Sequence, residues 1–200
     1  MDERIQQEIA ALAAEMIAEF DLDYSTAKRK AARQVLGTDR PNHAYLPSND
    51  LVEAAVREYQ SIYQAETQPE RLLSLRRTAL DVMQVLPQWQ LFLVGAVANG
   101  TANEHSAIYF QCHADSSKDL HIDLLNRGIE AEADEIPNPF GKGMVERVSF
   151  DFEGERIHIT CYAHNQARQM GAALAPRLDR SALEQSLTGL DDAAHGNTVR

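Results

Sequence analysis

The residues of this chain whose types and spacing best suit binding chemistry lie in one stretch, GAVANGTANEHSAIYF, between Gly95 and Phe110. Gly95 and Gly100 allow backbone conformations closed to other residues and the close approach of a ligand. Backbone N–H groups exposed between two such glycines can face an anion. The stretch therefore suits a loop that binds a phosphate group, although a plain connection that needs two glycines fits the same pattern. The candidate ligand-binding residues are Gly95, Ala96, Asn99, Gly100, Ser106 and Tyr109.

The segments on either side of this loop predict strands. The short apolar run QLFLV ends at Val94, and AIYFQCH alternates apolar and polar residues up to His113. Such patterns are typical of β-strands, and a polar, glycine-bounded segment between them favours a connecting loop.

This arrangement resembles the signature of the polymerase β-like nucleotidyltransferase superfamily, in which Gly-Ser, three residues and Gly are followed by Ser-Asp-Ile-Asp-Leu on the next strand. Gly95, Gly100, Ser106 and Ile108 fall in register with that signature. The resemblance covers roughly residues 72 to 163 and implies a helix beside a short mixed sheet, with the glycine loop between its first two strands. It also implies a serine that helps to hold a nucleotide triphosphate and two aspartates that bind catalytic Mg²⁺.

Four functional positions of that signature differ in this chain. The serine after the first glycine is Ala96, a frequently basic position is Asn99, and the two aspartates are Ala107 and Tyr109. Mg²⁺ is held by oxygen ligands, usually carboxylates together with phosphates. Because two-metal transfer needs both ions, the loss of both carboxylates should remove most catalytic power. We expect a degenerate active site without catalytic residues, metal or cofactor.

One alternative keeps the chemistry. Asp123 lies in DLHIDLLN, which alternates like a strand, so that Leu120, Ile122 and Leu124 would share one face while His121 and Asp123 shared the other. Asp123 could then replace a missing carboxylate, and the protein would be an active nucleotidyltransferase with Mg²⁺ as its cofactor.

A zinc site is a further alternative. Its candidate ligands are Cys112, Cys161, His113, His121 and His158. They are scattered, whereas zinc ligands usually occur in closely spaced pairs. The two cysteines also provide no disulfide framework, so we expect reduced cysteines in the core.

The composition favours a cytoplasmic protein with one compact unit or two small ones. The chain has 200 residues and a net charge of −11, and no apolar run long enough to cross a membrane. The acidic, amphipathic N-terminus differs from a secretory signal. Because nonspecific nucleic-acid binding relies on clustered cations, the acidic balance argues against it. A basic patch of Lys28, Arg29, Lys30 and Arg33 leaves a protein partner possible at the N-terminal helices.

The first part of the chain predicts helices. Ile5, Ile9, Leu12, Met16 and Phe20 recur at helical spacing. A second helix is expected to begin with Ser25 as its N-cap and to end at Gly37, and a third to begin near Asn49 or Asp50. A capping box of Thr67 and Glu70 predicts the fourth.

The second part predicts strands. We expect AIYFQCH to form a hairpin with DLHIDLL and RVSFDF to form one with RIHITCY, with a further short strand near residues 130–135. A last helix is expected over residues 179–187, followed by a disordered tail in DDAAHGNTVR.

Helices followed by a small mixed sheet predict an α+β fold of nucleotidyltransferase-like type. The expected parts are an N-terminal helical region over 1–66, a nucleotidyltransferase-like domain over 67–175, and a C-terminal helix with its tail over 176–200. Through DYSTAKRKAARQ and LLNRGI, the chain is also similar to uncharacterised bacterial proteins labelled nucleotidyltransferases.

Three functions stay open from the sequence. The first is a non-catalytic protein that binds a nucleotide or another phosphate-bearing ligand. The second is a regulatory module that binds a protein partner through its N-terminal helices. The third is the active, metal-dependent enzyme that uses Asp123.

Overall fold

The fold is α+β, with helices first and a mixed sheet after them, as the sequence predicts. The computed structural model describes residues 2–20, 22–38, 40–114, 116–138, 141–163 and 176–195. In these residues the chain forms seven α-helices and a five-stranded sheet. Its internal contacts divide it into two compact units. The helical unit comprises Met1–Leu72 and Thr101–Ser106, and the sheet unit comprises Leu73–Gly100 and Ala107–Arg200.

The helical unit is built on three helices that share one core. They are α1 (Asp2–Phe20), α2 (Tyr24–Leu36) and α3 (Asn49–Tyr63), with a 3-10 turn at His43–Tyr45 and the start of α4 (Gln68–Val85). The buried stripe of α1 contains Ile9, Ala13 and Ile17, which are 0%, 0% and 7% exposed. The observed buried stripe is therefore rotated slightly about the helix axis relative to the predicted stripe. Phe20, the last residue of the predicted stripe, is 69% exposed.

The ends of these helices follow capping chemistry. The N-cap of helix α2 is Asp23, two residues before the predicted cap at Ser25, because the carboxylate of Asp23 accepts a hydrogen bond from the backbone N–H of Thr26 at 3.0 Å. Hydrogen bonding with the Thr26 side chain, and then the bond from its backbone N–H, lower the pKa of Asp23. The helix ends at Gly37 with φ +65°, as predicted, and Ser48 caps α3.

Hydrogen bonds of side chains hold the segment Thr101–Ser106 within the helical unit. Its backbone carbonyl groups accept some of these bonds, and the side-chain amide of its own Asn103 donates another. Gln60 Nε2 donates to the carbonyl of Thr101 at 2.9 Å, and Gln68 Nε2 donates to the carbonyl of Ala102 at 3.0 Å. Asn103 Nδ2 in turn donates to the carbonyl of Ile17 in α1 at 3.0 Å. This segment therefore folds as part of the helical unit.

The sheet unit contains the five strands and the remaining helices. In chain order they are β1 (Phe92–Val94), α5 (Gly95–Asn99), β2 (Ile108–His113), α6 (Ser117–Asn126), β3 (Ala131–Pro137), β4 (Met144–Phe152), β5 (Glu155–Tyr162) and α7 (Arg180–His195). The strand order is β1-β2-β5-β4-β3. Strands β2 and β5 are parallel, and all other neighbours are antiparallel.

The first predicted hairpin is wrong, because DLHIDLL is part of helix α6 and not a strand. Leu120 and Leu124 are fully buried at helical spacing, whereas Ile122 is 55% exposed, and Ser116 caps the helix. Strand β2 instead pairs with β1 and β5. Residue 115, between β2 and α6, lies outside the described residues.

The other strand predictions are confirmed. Strands β4 and β5 form the second hairpin, turning through Glu153 and Gly154 with φ +51° and +82°. Strand β3 covers the predicted short strand near residues 130–135.

Helix α7 corrects the expected tail. It extends to His195, eight residues beyond the predicted end at Leu187, so residues 191–195 are helical. Two alanines in this stretch favour a helix. Residues 196–200 of the predicted disordered tail lie outside the described residues.

Replacing Asn103 tests how the segment Thr101–Ser106 is held. Asn103→Ala should lower the free energy of unfolding by about 1–3 kcal/mol, because the buried carbonyl of Ile17 loses its donor. Chemical denaturation measures the change. Glu104→Ala is the control, since Glu104 is exposed and its backbone carbonyl still accepts from Arg71. Equal stability of the two variants would contradict this account.

Candidate functional site

The predicted glycine loop is a short helical turn in the structure. Gly95 opens α5 with φ +73°, and Gly100 ends it with φ +86° while donating its N–H to the carbonyl of Ala96 at 2.9 Å. A Cβ on Gly95 would lie 3.9 Å from Cδ2 of Tyr109, which is an ordinary contact. The reason for glycine at this position is therefore the left-handed backbone conformation, and not a lack of space for a side chain.

Arg76 from α4 fixes this turn and was not identified from the sequence. Its Nε donates to the carbonyl of Val97, and its Nη2 to that of Ala98, both at 3.0 Å. These carbonyls are near the end of α5, where no further helical N–H follows. Arg76 is only 9% exposed. Its only signal in the sequence is a charge among the apolar residues of α4.

Ser106 belongs to the helical unit, whereas the glycine turn belongs to the sheet unit. It is 5% exposed, its hydroxyl accepts from the backbone N–H of Asn103 at 3.0 Å, and it donates to Asn103 Oδ1 at 3.2 Å. The structure gives this serine a role in closing the segment Thr101–Ser106. The other predicted ligand-binding residues, Gly95, Ala96, Asn99, Gly100 and Tyr109, belong to the sheet unit.

The central strands present one apolar and one polar face. Ile108 and Phe110 of β2 pair with Ile157 and Ile159 of β5, and all four are at most 1% exposed. Because side chains alternate along a strand, Tyr109 and its partner His158 point to the opposite face. We call the face that carries Tyr109, Gln111, Ser149, His158 and Arg177 the polar face.

Two stacked rings lie on the polar face. Tyr109 is 40% exposed, and its ring centroid lies 4.9 Å from that of His158 with an angle of 22° between the ring planes. Ser149 Oγ is 2.7 Å from His158 Nδ1. Burial, followed by the positive charges of Arg147 and Arg156, lowers the pKa of His158. A neutral imidazole with a neighbouring phenol is suited to stacking and hydrogen bonding.

Two arginines near these rings are paired with carboxylates. Arg147 donates to both carboxylate oxygens of Asp134, from Nε at 3.0 Å and from Nη2 at 2.5 Å. Arg156 donates to Glu132 at 2.7 Å and to Asp151 at 3.4 Å. The hydrogen bond from Arg147 lowers the pKa of Asp134. Both guanidinium groups therefore already have carboxylate partners on β3 or β4.

Arg177 differs from these two arginines. Backbone hydrogen bonds between Leu93 and Leu178 place residue 177 beside β1, and the guanidinium carbon of Arg177 lies 3.6 Å from the centre of the Phe92 ring. Its Nε and Nη2 are buried without a hydrogen-bond partner among the described residues. Phe92 is in register with Gln111, whose buried Oε1 also lacks a partner there. Burial lowers the pKa of Arg177.

Asp123 lies on α6, where its carboxylate has other partners. Trp89 Nε1 and Arg127 Nε each donate to it at 3.1 Å, and Gln88 Nε2 donates to it as well. At the start of α6, the backbone N–H of Ser117 donates to Glu146, which is in register with Cys161 and so points to the apolar face. Helix α6 therefore begins on the side of the sheet opposite Tyr109.

The candidate zinc ligands do not form one cluster. Cys112 and Cys161 face each other on the apolar face with their sulfur atoms 3.4 Å apart, whereas His113 and His158 point to the polar face and His121 is on α6. The hydrogen bond to Cys161, with burial, raises the pKa of Cys112. In the described part of the chain, no three His, Cys, Asp or Glu side chains form a group suited to a metal ion.

Comparisons with known proteins find no family model and no curated protein that matches this chain. Among the described residues, no helix is both long and apolar enough to span a membrane.

Removing Arg76 should loosen the glycine turn. Arg76→Met keeps much of the apolar stem but leaves the carbonyls of Val97 and Ala98 without these donors, so the free energy of unfolding should fall by about 1.5–3 kcal/mol. Backbone hydrogen exchange in Gly95–Asn99 should also rise. Arg77→Met, at an exposed neighbouring position, is the control. Unchanged exchange in Arg76→Met would contradict the proposed role.

The lowered pKa of His158 predicts a pH dependence of stability. In the unfolded chain His158 titrates near its ordinary value of 6.5, whereas the native state holds it neutral to lower pH. Its contribution is therefore present above pH 6.5 and is lost as the pH falls through the native pKa. The wild type should lose more stability than His158→Gln over this fall in pH. A pH-independent difference between the two unfolding free energies would contradict the shift.

Proposed function

We propose that the sheet unit binds a nucleotide or another phosphate-bearing ligand on its polar face, without catalysing nucleotidyl transfer. The observation that carries this proposal is Arg177, whose buried Nε and Nη2 have no acceptor among the described residues. A cation without its hydrogen bonds is costly to bury. An anionic ligand would supply those acceptors.

The geometry of a guanidinium favours a phosphate or carboxylate. Its N–H groups form a planar fork that donates two parallel hydrogen bonds to such anions. Because Arg147 and Arg156 are paired with Asp134, Glu132 and Asp151, they compete less well for a ligand than Arg177 does. The aromatic support from Phe92 also favours a fixed guanidinium over a mobile one.

The stacked rings favour a nucleotide among the phosphate-bearing ligands. Tyr109 stands at the position of a metal-binding aspartate in the superfamily that this chain resembles, and it is exposed beside His158. Exposed aromatic rings can stack on any nucleobase. The connection of β1 to β2 through the Gly95 turn, within a mixed sheet, also agrees with that resemblance.

The side chains at the two positions where the superfamily binds metal argue against metal-dependent nucleotidyl transfer. Ala107 has no metal ligand, and Tyr109 offers a neutral phenol where Mg²⁺ prefers carboxylates. Two observations argue against the alternative in which Asp123 supports catalysis. Asp123 lies on α6, and its carboxylate already accepts hydrogen bonds from Gln88, Trp89 and Arg127. Mg²⁺ would be a cofactor only in that case.

Thermal unfolding with ATP, GTP, CTP and UTP, each with and without Mg²⁺, tests the proposal. A ligand at 100 times its dissociation constant should add about 2.7 kcal/mol of stability. We expect stabilisation that does not require Mg²⁺. Stabilisation only with Mg²⁺, with turnover abolished by Asp123→Asn, would support the active enzyme instead. No stabilisation by any nucleotide would contradict binding.

Replacing Arg177 locates the ligand. Arg177→Gln should abolish most of the stabilisation by nucleotide and by tripolyphosphate, because the ligand loses its bidentate donor. Without ligand the variant should change little in stability, since the lost contact with Phe92 is offset by the removal of buried N–H groups that have no acceptor among the described residues. Arg156→Gln is the matched control and should keep the ligand effect, because Arg156 is already paired with Glu132 and Asp151. Equal ligand effects in both variants would place the ligand elsewhere.

A further inference from the structure

The helical unit has an open groove, of about 660 Å³, between α1, α3 and the end of α2. Its lining combines an apolar floor with acidic edges. Side chains of all three helices line the groove.

The floor exposes large apolar side chains at the end of α3. Ile62 is 63% exposed and Tyr63 is 68% exposed. The ring of Tyr63 lies 4.6 Å from that of Tyr59, so the two form a continuous aromatic surface. Leu12 and Val35 pack against the core and extend the apolar surface across α1 and α2. Clustered exposed apolar side chains of this kind favour an interaction site over a simple solvated surface.

The edges of the groove are negative. Glu8 and Glu15 of α1 and Glu58 of α3 line it, and among the residues that the structure describes no lysine or arginine does so. Burial first, and then the hydrogen bond to Glu19 and the negative charges of Glu19 and Glu15, raise the pKa of Tyr59. An occupant that matches this surface is apolar along its centre and positive along its sides.

We propose that this groove binds an amphipathic helix of another protein, whose apolar stripe is flanked by lysine or arginine. The lining residues span Glu8 to Glu15 on α1 and Ala55 to Tyr63 on α3. At 1.5 Å per residue these spans are roughly 10–12 Å long, which is about two helical turns. A helix that lies in a groove between two helices uses its apolar residues at i, i+3, i+4 and i+7 as anchors. This proposal does not depend on a ligand in the sheet unit.

The experiment uses two labelled synthetic peptides with the same leucine stripe, one flanked by lysine and the other by glutamate. Fluorescence anisotropy measures their binding to the full chain. We expect the lysine peptide to bind and the glutamate peptide not to bind. The double variant Glu15→Lys with Glu58→Lys should weaken the lysine peptide about tenfold or more, because like charges then meet across the groove. It should also strengthen the glutamate peptide.

Two further variants make the test specific to the groove. Glu66→Lys with Glu70→Lys changes the net charge equally at exposed positions outside the groove and should leave both affinities unchanged. Ile62→Ser, which alters an exposed anchor, should weaken the lysine peptide without changing stability. An equal loss of binding in the two charge variants would overturn the proposal. So would the absence of lysine-peptide binding up to about 1 mM, or concentration-dependent dimers that Ile62→Ser abolishes, which would assign the groove to a second copy.

Discussion

The parallel pairing of β2 with β5 is the constraint on which the candidate site depends. It sets Tyr109 beside His158 and, one residue along, Phe110 beside Ile159. A shift of one residue in this register would move the apolar side chains out of the core and the polar ones into it. Burial of the isoleucines and Phe110 therefore fixes the polar face as firmly as it fixes the core.

Several parts of the fold follow from local sequence chemistry. The end of α2 at Gly37 and the hairpin through Gly154 need backbone conformations that glycine adopts readily, so the sequence indicates them directly. The strand alternation in AIYFQCH likewise predicts that Phe110 is buried and that Tyr109 points the other way, and the structure bears this out. These features depend on residues close together in the chain.

The incorrect or missed predictions have two causes. Either one sequence pattern fits both a helix and a strand, or the role of a residue depends on contacts with residues distant in the chain. DLHIDLL alternates like a strand, yet Leu120 and Leu124 also stand four residues apart, and burial of that pair decides for a helix. The roles of Arg76, Arg177 and Ser106 depend on partners that only the fold brings near. Ser106 matches a nucleotidyltransferase position in the sequence, but its hydrogen bonds go to Asn103. Spacing alone could not show this difference.

The most direct test of ligand binding is the Nε–H resonance of Arg177 in a ¹H–¹⁵N spectrum of the arginine side chains, recorded while ATP is added without metal. Assignment follows from Arg177→Gln. The account predicts a saturable shift and slower solvent exchange at Arg177, with much smaller changes at Arg147 and Arg156, which are already paired. An unperturbed Arg177, or equal small shifts at all the exposed arginines, would contradict an anion site on the polar face.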